Sequence, residues 1–342
     1  MSWRGVRNLL AIRLDSLGDV LMTTPALRAF RETLGCRVTL LTSGSGAAAA
    51  PYVPEIDETL VFSAPWMKTA RPDNDFQLVN DLKNRAFDAA VIFTVYSQNP
   101  LPAAYLCYLA GIPRRLAHCH ENPYHLLTDW VPDPEPAQFV RHEVERQLAL
   151  AAAVACRSEE KRLSFRVPPA SRSRVRRKGL KKPYVVVHPG ASAPSRRYPP
   201  EHFAAAMDLV AGETGHAIVF TGDAAEEALV EGIRAAMRAP SRSLAGKLSL
   251  GELGALIEDA ELLVSNNTGP AHMAAALGTP VVDLYALTNP QHTPWLVESR
   301  VLFHDVPCRN CYKSVCPQGH NDCLRRVEPA RVAAAASELL HR

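Results

Sequence analysis

The stretch Leu263–Pro290, LVSNNTGPAHMAAALGTPVVDLYALTNP, decides the fold. A short apolar run, Leu262–Ser265, breaks into a polar loop at Asn266-Asn267. Helical periodicity takes over across Pro270–Leu277, and a second apolar run, Val281–Tyr285, follows. Thr268 has the chemistry of a helix N-cap, and Pro270 suits the first helical turn, where a missing N–H costs nothing. Near-continuous apolar strands separated by a helix predict a parallel pair in a sheet covered on both faces.

The same alternation extends through the rest of the chain. Upstream, Tyr184–His188 and Ala217–Thr221 read as strands, with helices over Glu201–Glu213, Ala225–Arg238 and Leu250–Asp259. In the first half the strands are Val6–Leu14, Arg37–Thr42, Thr59–Phe62 and Asp88–Phe93. The helices there are Val20–Leu34, Tyr105–Leu109 and a long closing segment, Arg141–Cys156. The expectation is an α/β protein of two Rossmann-like domains with parallel sheets. Residues 1–166 form the first, 167–183 a linker marked by Pro168, Pro169 and Pro183, and 184–328 the second. A C-terminal helix segment, 329–342, is expected to pack back across both. Ligands in such sheets bind at the carboxyl ends of strands, so the chemistry is expected in the cleft where the halves face each other.

Composition agrees with two domains: 342 residues, 47% of them hydrophobic, are enough to fill two cores. No apolar stretch approaches the roughly 20 residues of a membrane-spanning helix. Met1-Ser2-Trp3-Arg4 runs straight into a strand without a signal-peptide core, so a cytoplasmic protein is expected. A net charge of +3 is too small to argue for nucleic acid. The basic run from Arg157 to Lys182, opposed only by Glu159 and Glu160, reads first as a solvated linker. Its alternative is attraction to an anionic glycolipid or to the inner-membrane surface.

Three loops at strand ends carry candidate chemistry. In Asp15-Ser16-Leu17-Gly18-Asp19, two carboxylates crowd one strand-to-helix turn, and Gly18 lets backbone approach a ligand. There is no G-x-G-x-x-G, so a dinucleotide site is not supported. In His188-Pro189-Gly190-Ala191-Ser192-Ala193, running on to Arg196-Arg197, a small-residue loop meets two guanidiniums suited to an anion. Ser192 and Arg196 are the candidate contacts there. The third loop, Asn267-Thr268-Gly269 with His272 one turn on, opens a helix where a diphosphate can sit. Gly222-Asp223 is a candidate for the nucleoside end, with Asp223 meeting a ribose hydroxyl. Each feature has an ordinary reading: Asp19 a helix cap, Arg196-Arg197 a surface pair, His272 a helix-surface histidine, Gly222-Asp223 a turn.

Taken together, Ile12–Pro25 (IRLDSLGDVLMTTP), His188–Pro199 (HPGASAPSRRYP), Leu244–Leu256 (LAGKLSLGELGAL) and above all Leu263–Pro290 resemble the heptosyltransferases of glycosyltransferase family nine. The resemblance covers nearly the whole chain, in order. It implies a GT-B fold, with the donor held mainly by the second domain and the acceptor by the first. It further implies an inverting transfer from a nucleotide-diphosphate sugar, ADP-heptose, to a lipopolysaccharide-core or related glycan; no D-x-D motif lies at a donor loop, so no catalytic metal or other cofactor is expected. Carried over by position, Asp19 is the base, and Thr268, Gly269 and His272 are the diphosphate loop. Arg196 stands where the family often has Lys, and Asn267 where many members have Asp. A helix N-terminus lowers the pKa of Asp19, whereas desolvation raises it, and the second must prevail for a working base.

Cys308, Cys311, Cys316 and Cys323, with His320 among them, have spacing compatible with a structural zinc or iron–sulfur site. Two other classes fit parts of the pattern: a GT-B sugar-nucleotide epimerase, which needs no acceptor pocket, and a non-catalytic nucleotide-sugar sensor switched by the cysteines. The Asp19 turn favours an enzyme over a sensor, because a sensor needs no base.

Overall fold

The computed structural model describes residues 3–68 and 73–341. Met1 and Ser2, where the reading of the N-terminus begins, and Arg342, which ends the expected C-terminal segment, lie outside the described residues. The chain divides into two compact units, Met1–Arg166 and Val167–Arg342.

The first unit holds β1 (Asn8–Arg13), β2 (Arg37–Thr42), β3 (Glu58–Val61), β4 (Ala89–Ile92), β5 (Arg115–Cys119) and β6 (Asp129–Pro132), ordered β3-β2-β1-β4-β5-β6. Its pairings are parallel; Leu10 of β1 lies opposite Thr39 on one side and Ala90 on the other. Leu10, Ile12, Leu41, Ala90 and Ile92 are buried in its core. Helix Leu17–Leu34 starts three residues earlier than its apolar period suggests, and ends where Gly35 adopts φ 61°, a left-handed stop. It packs against helix Glu143–Ala153, which brings a residue from far along the chain to the end of β1.

The second unit repeats the plan. Its strands are β7 (Tyr184–His188), β8 (Ala217–Phe220), β9 (Ser241–Ser243), β10 (Leu262–Asn266), β11 (Val281–Leu284) and β12 (Ser299–Leu302), ordered β12-β11-β10-β7-β8-β9. Counted from its own first strand, this is the same order as in the first unit. In each, the strand order reverses between the first and fourth strands, β1/β4 and β7/β10. Their carboxyl ends flank the crevice where open α/β sheets take ligands.

Within the stretch read as a linker, Pro169–Arg176 is a helix packed on helix Leu250–Glu258. Arg172 pairs with Glu258 at 2.6 Å and Lys182 pairs with Asp259, so part of the basic run is engaged in surface ion pairs. Helix Pro329–Leu340 packs against helix Pro200–Thr214 and places Val332, Ala336 and Leu339 in the core of the second unit. Among the described residues, no helix is long and apolar enough to cross a membrane.

Candidate active site

β1 ends on Arg13, whose side chain is wholly buried and meets three carboxylates. Nε lies 2.9 Å from Asp15, Nη2 3.0 Å from Asp19 and Nη1 2.8 Å from Glu143. The second oxygen of Asp19 accepts from the Ser16 amide at 3.1 Å and the Ser16 hydroxyl at 2.6 Å. Asp19 therefore does act as a helix-start partner, as the ordinary reading has it, and is tied to Arg13 as well. Gln98 donates to Asp15 at 2.6 Å, and Gln147 to Glu143 at 2.6 Å.

Three acids share one cation, so the titration of each depends on the others. Burial pushes Asp15 up to about 6; Asp19 and Glu143 add repulsion, and Arg13 opposes. Burial also raises Glu143 against the pull of Arg13. Against its own burial, the carboxylates keep Arg13 above the ordinary arginine range. A cavity of about 260 Å³ opens between the ends of β1 and β4, lined by Asp15, Trp66, Phe93, Ser97 and Gln98. Ser16 is exposed at this turn and Gly18 is buried.

In the second unit, Asn266 joins the separate loops. Its Nδ2 donates to Pro189 O at 2.7 Å, and its Oδ1 accepts from the Tyr198 amide at 3.0 Å. The loop after β7, the segment carrying Arg196 and the end of β10 are thereby fixed to one another. Arg196 sits on a single turn, Pro194–Arg196, with a partly exposed guanidinium that makes no side-chain hydrogen bond or ion pair among the described residues. Ser192 is exposed beside it. Thr268 occupies the N-cap position of helix Gly269–Leu277, but its hydroxyl turns to Asn266 O at 3.2 Å and leaves the helix start without a side-chain cap. His272 is buried, unlike the helix-surface histidine of the ordinary reading.

Asn267 is buried against Asp283 of β11, to which its Nδ2 donates at 3.0 Å. Burial pushes Asp283 up to about 7, with Asn267 and Arg196 opposing. Asp223 caps the turn that follows β8: its Oδ1 accepts from the Glu226 amide at 3.0 Å, and Glu226 returns a bond to the Asp223 amide at 3.0 Å. The Glu226 carboxylate lies over Gly190, where an added Cβ would overlap it, and a Cβ added at Gly222 would crowd the same side chain. Burial lowers His188, at the end of β7, to about 4.

Nothing in the cysteine-rich segment supports the expected metal centre. All four thiols are free, and among the described residues no group of three or more His, Cys, Asp or Glu side chains is placed to hold an ion. A structural zinc or iron–sulfur cluster is thus unsupported, although Cys308 Sγ lies 3.9 Å from His320 and the thiols of Cys316, Cys308 and Cys311 add to the burial that raises Cys323. The segment serves as a buttress. Lys313 O accepts from the Ser195 hydroxyl at 2.7 Å and Ser314 O from the Ser195 amide at 3.0 Å, directly beneath Arg196.

Sequence reasoning passed over Arg13, Glu143, Glu226, Asn266 and Asp283. For two of them a signal was present: Arg13 and Asp283 are charges inside otherwise apolar strands, where charge is rarely left without a partner. Nothing local marks Glu143, which reaches Arg13 from 130 residues away.

Two parallel Rossmann-like sheets, each with candidate loops at its switch point, are the plan of the GT-B glycosyltransferases. Residues 76–321 match glycosyltransferase family 9 (heptosyltransferase), and the chain belongs to that family of enzymes. Lipopolysaccharide heptosyltransferase 3 of Escherichia coli is 32% identical, over 94% of this chain and 96% of its own. The structure of E. coli ADP-heptose lps heptosyltransferase II superposes with a TM-score of 0.75 at 25% identity, over 98% of each chain. A family 9 glycosyl transferase from Veillonella parvula superposes with a TM-score of 0.80, over 100% of this chain and 99% of its own. At 22% identity that likeness speaks for the fold.

Proposed function

We propose that this enzyme transfers heptose from ADP-heptose to a lipopolysaccharide-core acceptor by a single inverting displacement without a metal ion. The observation that carries the reading is the bonding of Asn266 to Pro189 O and the Tyr198 amide, which ties the loop after β7 and the segment carrying Arg196 to the strand end that leads into the uncapped helix Gly269–Leu277; we read these as one anion site. Such fixed donors favour the charge that develops on a departing diphosphate. The names of the relatives support the heptose and the acceptor. Ser192, His272, Gly222 and Asp223 complete the proposed donor side, and Asp15, Ser16 and Gly18 the acceptor side. Exposed Arg174, Arg176 and Arg177 extend the proposal to peripheral contact with the anionic inner membrane.

Asp19 is the proposed base, taking the proton of the acceptor hydroxyl as it attacks the anomeric carbon. Its Oδ1 accepts from Arg13 and its Oδ2 from Ser16, which fixes the orientation of the carboxylate. A second reading makes Asp15 the base, because its pKa near 6 suits proton transfer at neutral pH and it lines the cavity. The two are separated by following ADP release from ADP-heptose, with and without a lipid A–Kdo acceptor, in the presence of EDTA. Asp19→Ala is expected to abolish acceptor-dependent release while ADP still binds. Full activity in that variant, with loss in Asp15→Ala, moves the base to Asp15. ADP release without acceptor, or its arrest by EDTA, refutes the proposed transfer.

A further inference from the structure

Asp283 is wholly buried in β11, between β10 and β12. In the strand register it lies opposite Ser265, and the Asn267 amide continues that ladder to Leu284 O at 3.3 Å. The Asn267 side chain is gripped from one side only. Its Nδ2 donates both to Asp283 Oδ2 at 3.0 Å and to the His292 backbone carbonyl at 2.8 Å. A carbonyl oxygen accepts and never donates, so the amide nitrogen must face His292, and the orientation is set by chemistry. Both amide hydrogens are then used. The remaining atom, Asn267 Oδ1, has no donor among the described residues and belongs to the residue immediately before Thr268-Gly269. The other Asp283 oxygen is buried without a hydrogen bond, and Arg196 is the cation whose field reaches it. Leaving such an oxygen unsatisfied costs stability, which an ordinary packing role does not repay.

We infer that Asp283 is a positioning residue, fixing Asn267 so that its Oδ1 accepts a hydrogen bond from a hydroxyl of the donor's sugar. The inference rests on the reading of Arg196 and Thr268-Gly269 as the donor's diphosphate site. A neutral acceptor at Asn267 recognises a hydroxyl without repelling the adjacent diphosphate. The carboxyl group that orients it is set back in the strand, within the field of Arg196.

The test is a mutant cycle on the full chain, reading donor KM and kcat, the Kd of ADP, and the melting temperature without ligand. Asn267→Ala and Asp283→Ala are each expected to raise donor KM about tenfold, the size of one hydrogen bond, with kcat and the Kd of ADP little changed. The double variant is expected to be no worse than either single one, because both act through one contact. Asn267→Asp places a carboxylate against Asp283 and His292 O; it is expected to melt lower and to regain stability and donor KM when Asp283→Asn is added. Losses that add in the double variant, equal losses for ADP and donor, or an exchange variant no better than Asn267→Asp overturn the inference. If Arg196→Ala leaves the Kd of ADP unchanged, the donor-site reading itself fails, and the melting temperatures then report separately whether Asn267 and Asp283 are coupled.

Discussion

Arg13→Met removes the guanidinium from the end of β1 while keeping most of the stem's volume. Asp15, Asp19 and Glu143 then lose contacts of 2.9, 3.0 and 2.8 Å. Asp19 keeps Ser16 and is partly exposed, so the loss concentrates on Glu143 and Asp15. Removing one partner of a buried ion pair costs about 3–5 kcal/mol. At about 2–4 °C per kcal/mol for a unit of this size, the first unit should melt about 6–20 °C lower. The pH dependence has a definite sign. Arg13 holds the pKa values of Asp15 and Glu143 down against burial, so both rise further without it. A protonated carboxyl needs no cation, and the gap between variant and parent should narrow from pH 8 to pH 5. Urea unfolding followed by tryptophan fluorescence reads this, since Trp3, Trp66 and Trp130 lie in the first unit. A loss below about 1 kcal/mol at pH 8, or a gap that does not change with pH, refutes the claim that Arg13 is the common counter-ion.

Two further substitutions probe the second unit. Gly190→Ala pushes the Glu226 carboxylate off the Asp223 amide and should cost about 1 kcal/mol, the worth of a helix cap. Thermal melting checks this, and an unchanged midpoint would mean that Glu226 is not held over Gly190. Ser195→Ala cuts the tie between the Arg196 turn and Lys313, and should weaken ADP binding several-fold while costing about 1 kcal/mol of stability. Calorimetry that finds full ADP affinity removes the buttressing role from the cysteine-rich segment.

The central strands were legible because they are buried on both faces and read as apolar runs; Arg37–Thr42 and Tyr184–His188 fall where expected. The missed strands carry weaker signals. β5 interleaves Arg115 and His118 with its apolar residues, and Ser241–Ser243 is a short, partly exposed edge. The site divides the same way. Loops that leave strand ends show their glycines, prolines and acids locally, so Asp19, Arg196 and Thr268 could be picked out. Glu143, Asn266 and Asp283 act through partners fixed only by the fold, and their types alone say nothing of those partners. The cysteine spacing was legible, but close spacing along a chain does not by itself place side chains to hold an ion, and among the described residues no such group is formed.

Each unit has its own core and repeats the same strand order, with its candidate loop at the same topological position. An evolutionary consequence follows. Changes in the loops around Asp15 leave the packing that aligns Asn266, Asn267 and Asp283 in the other unit intact. Changes around Asp283 can retune the second unit without disturbing Arg13. Under the proposed division of donor and acceptor between the units, a lineage built on this chain can diversify its two substrates separately, one half at a time.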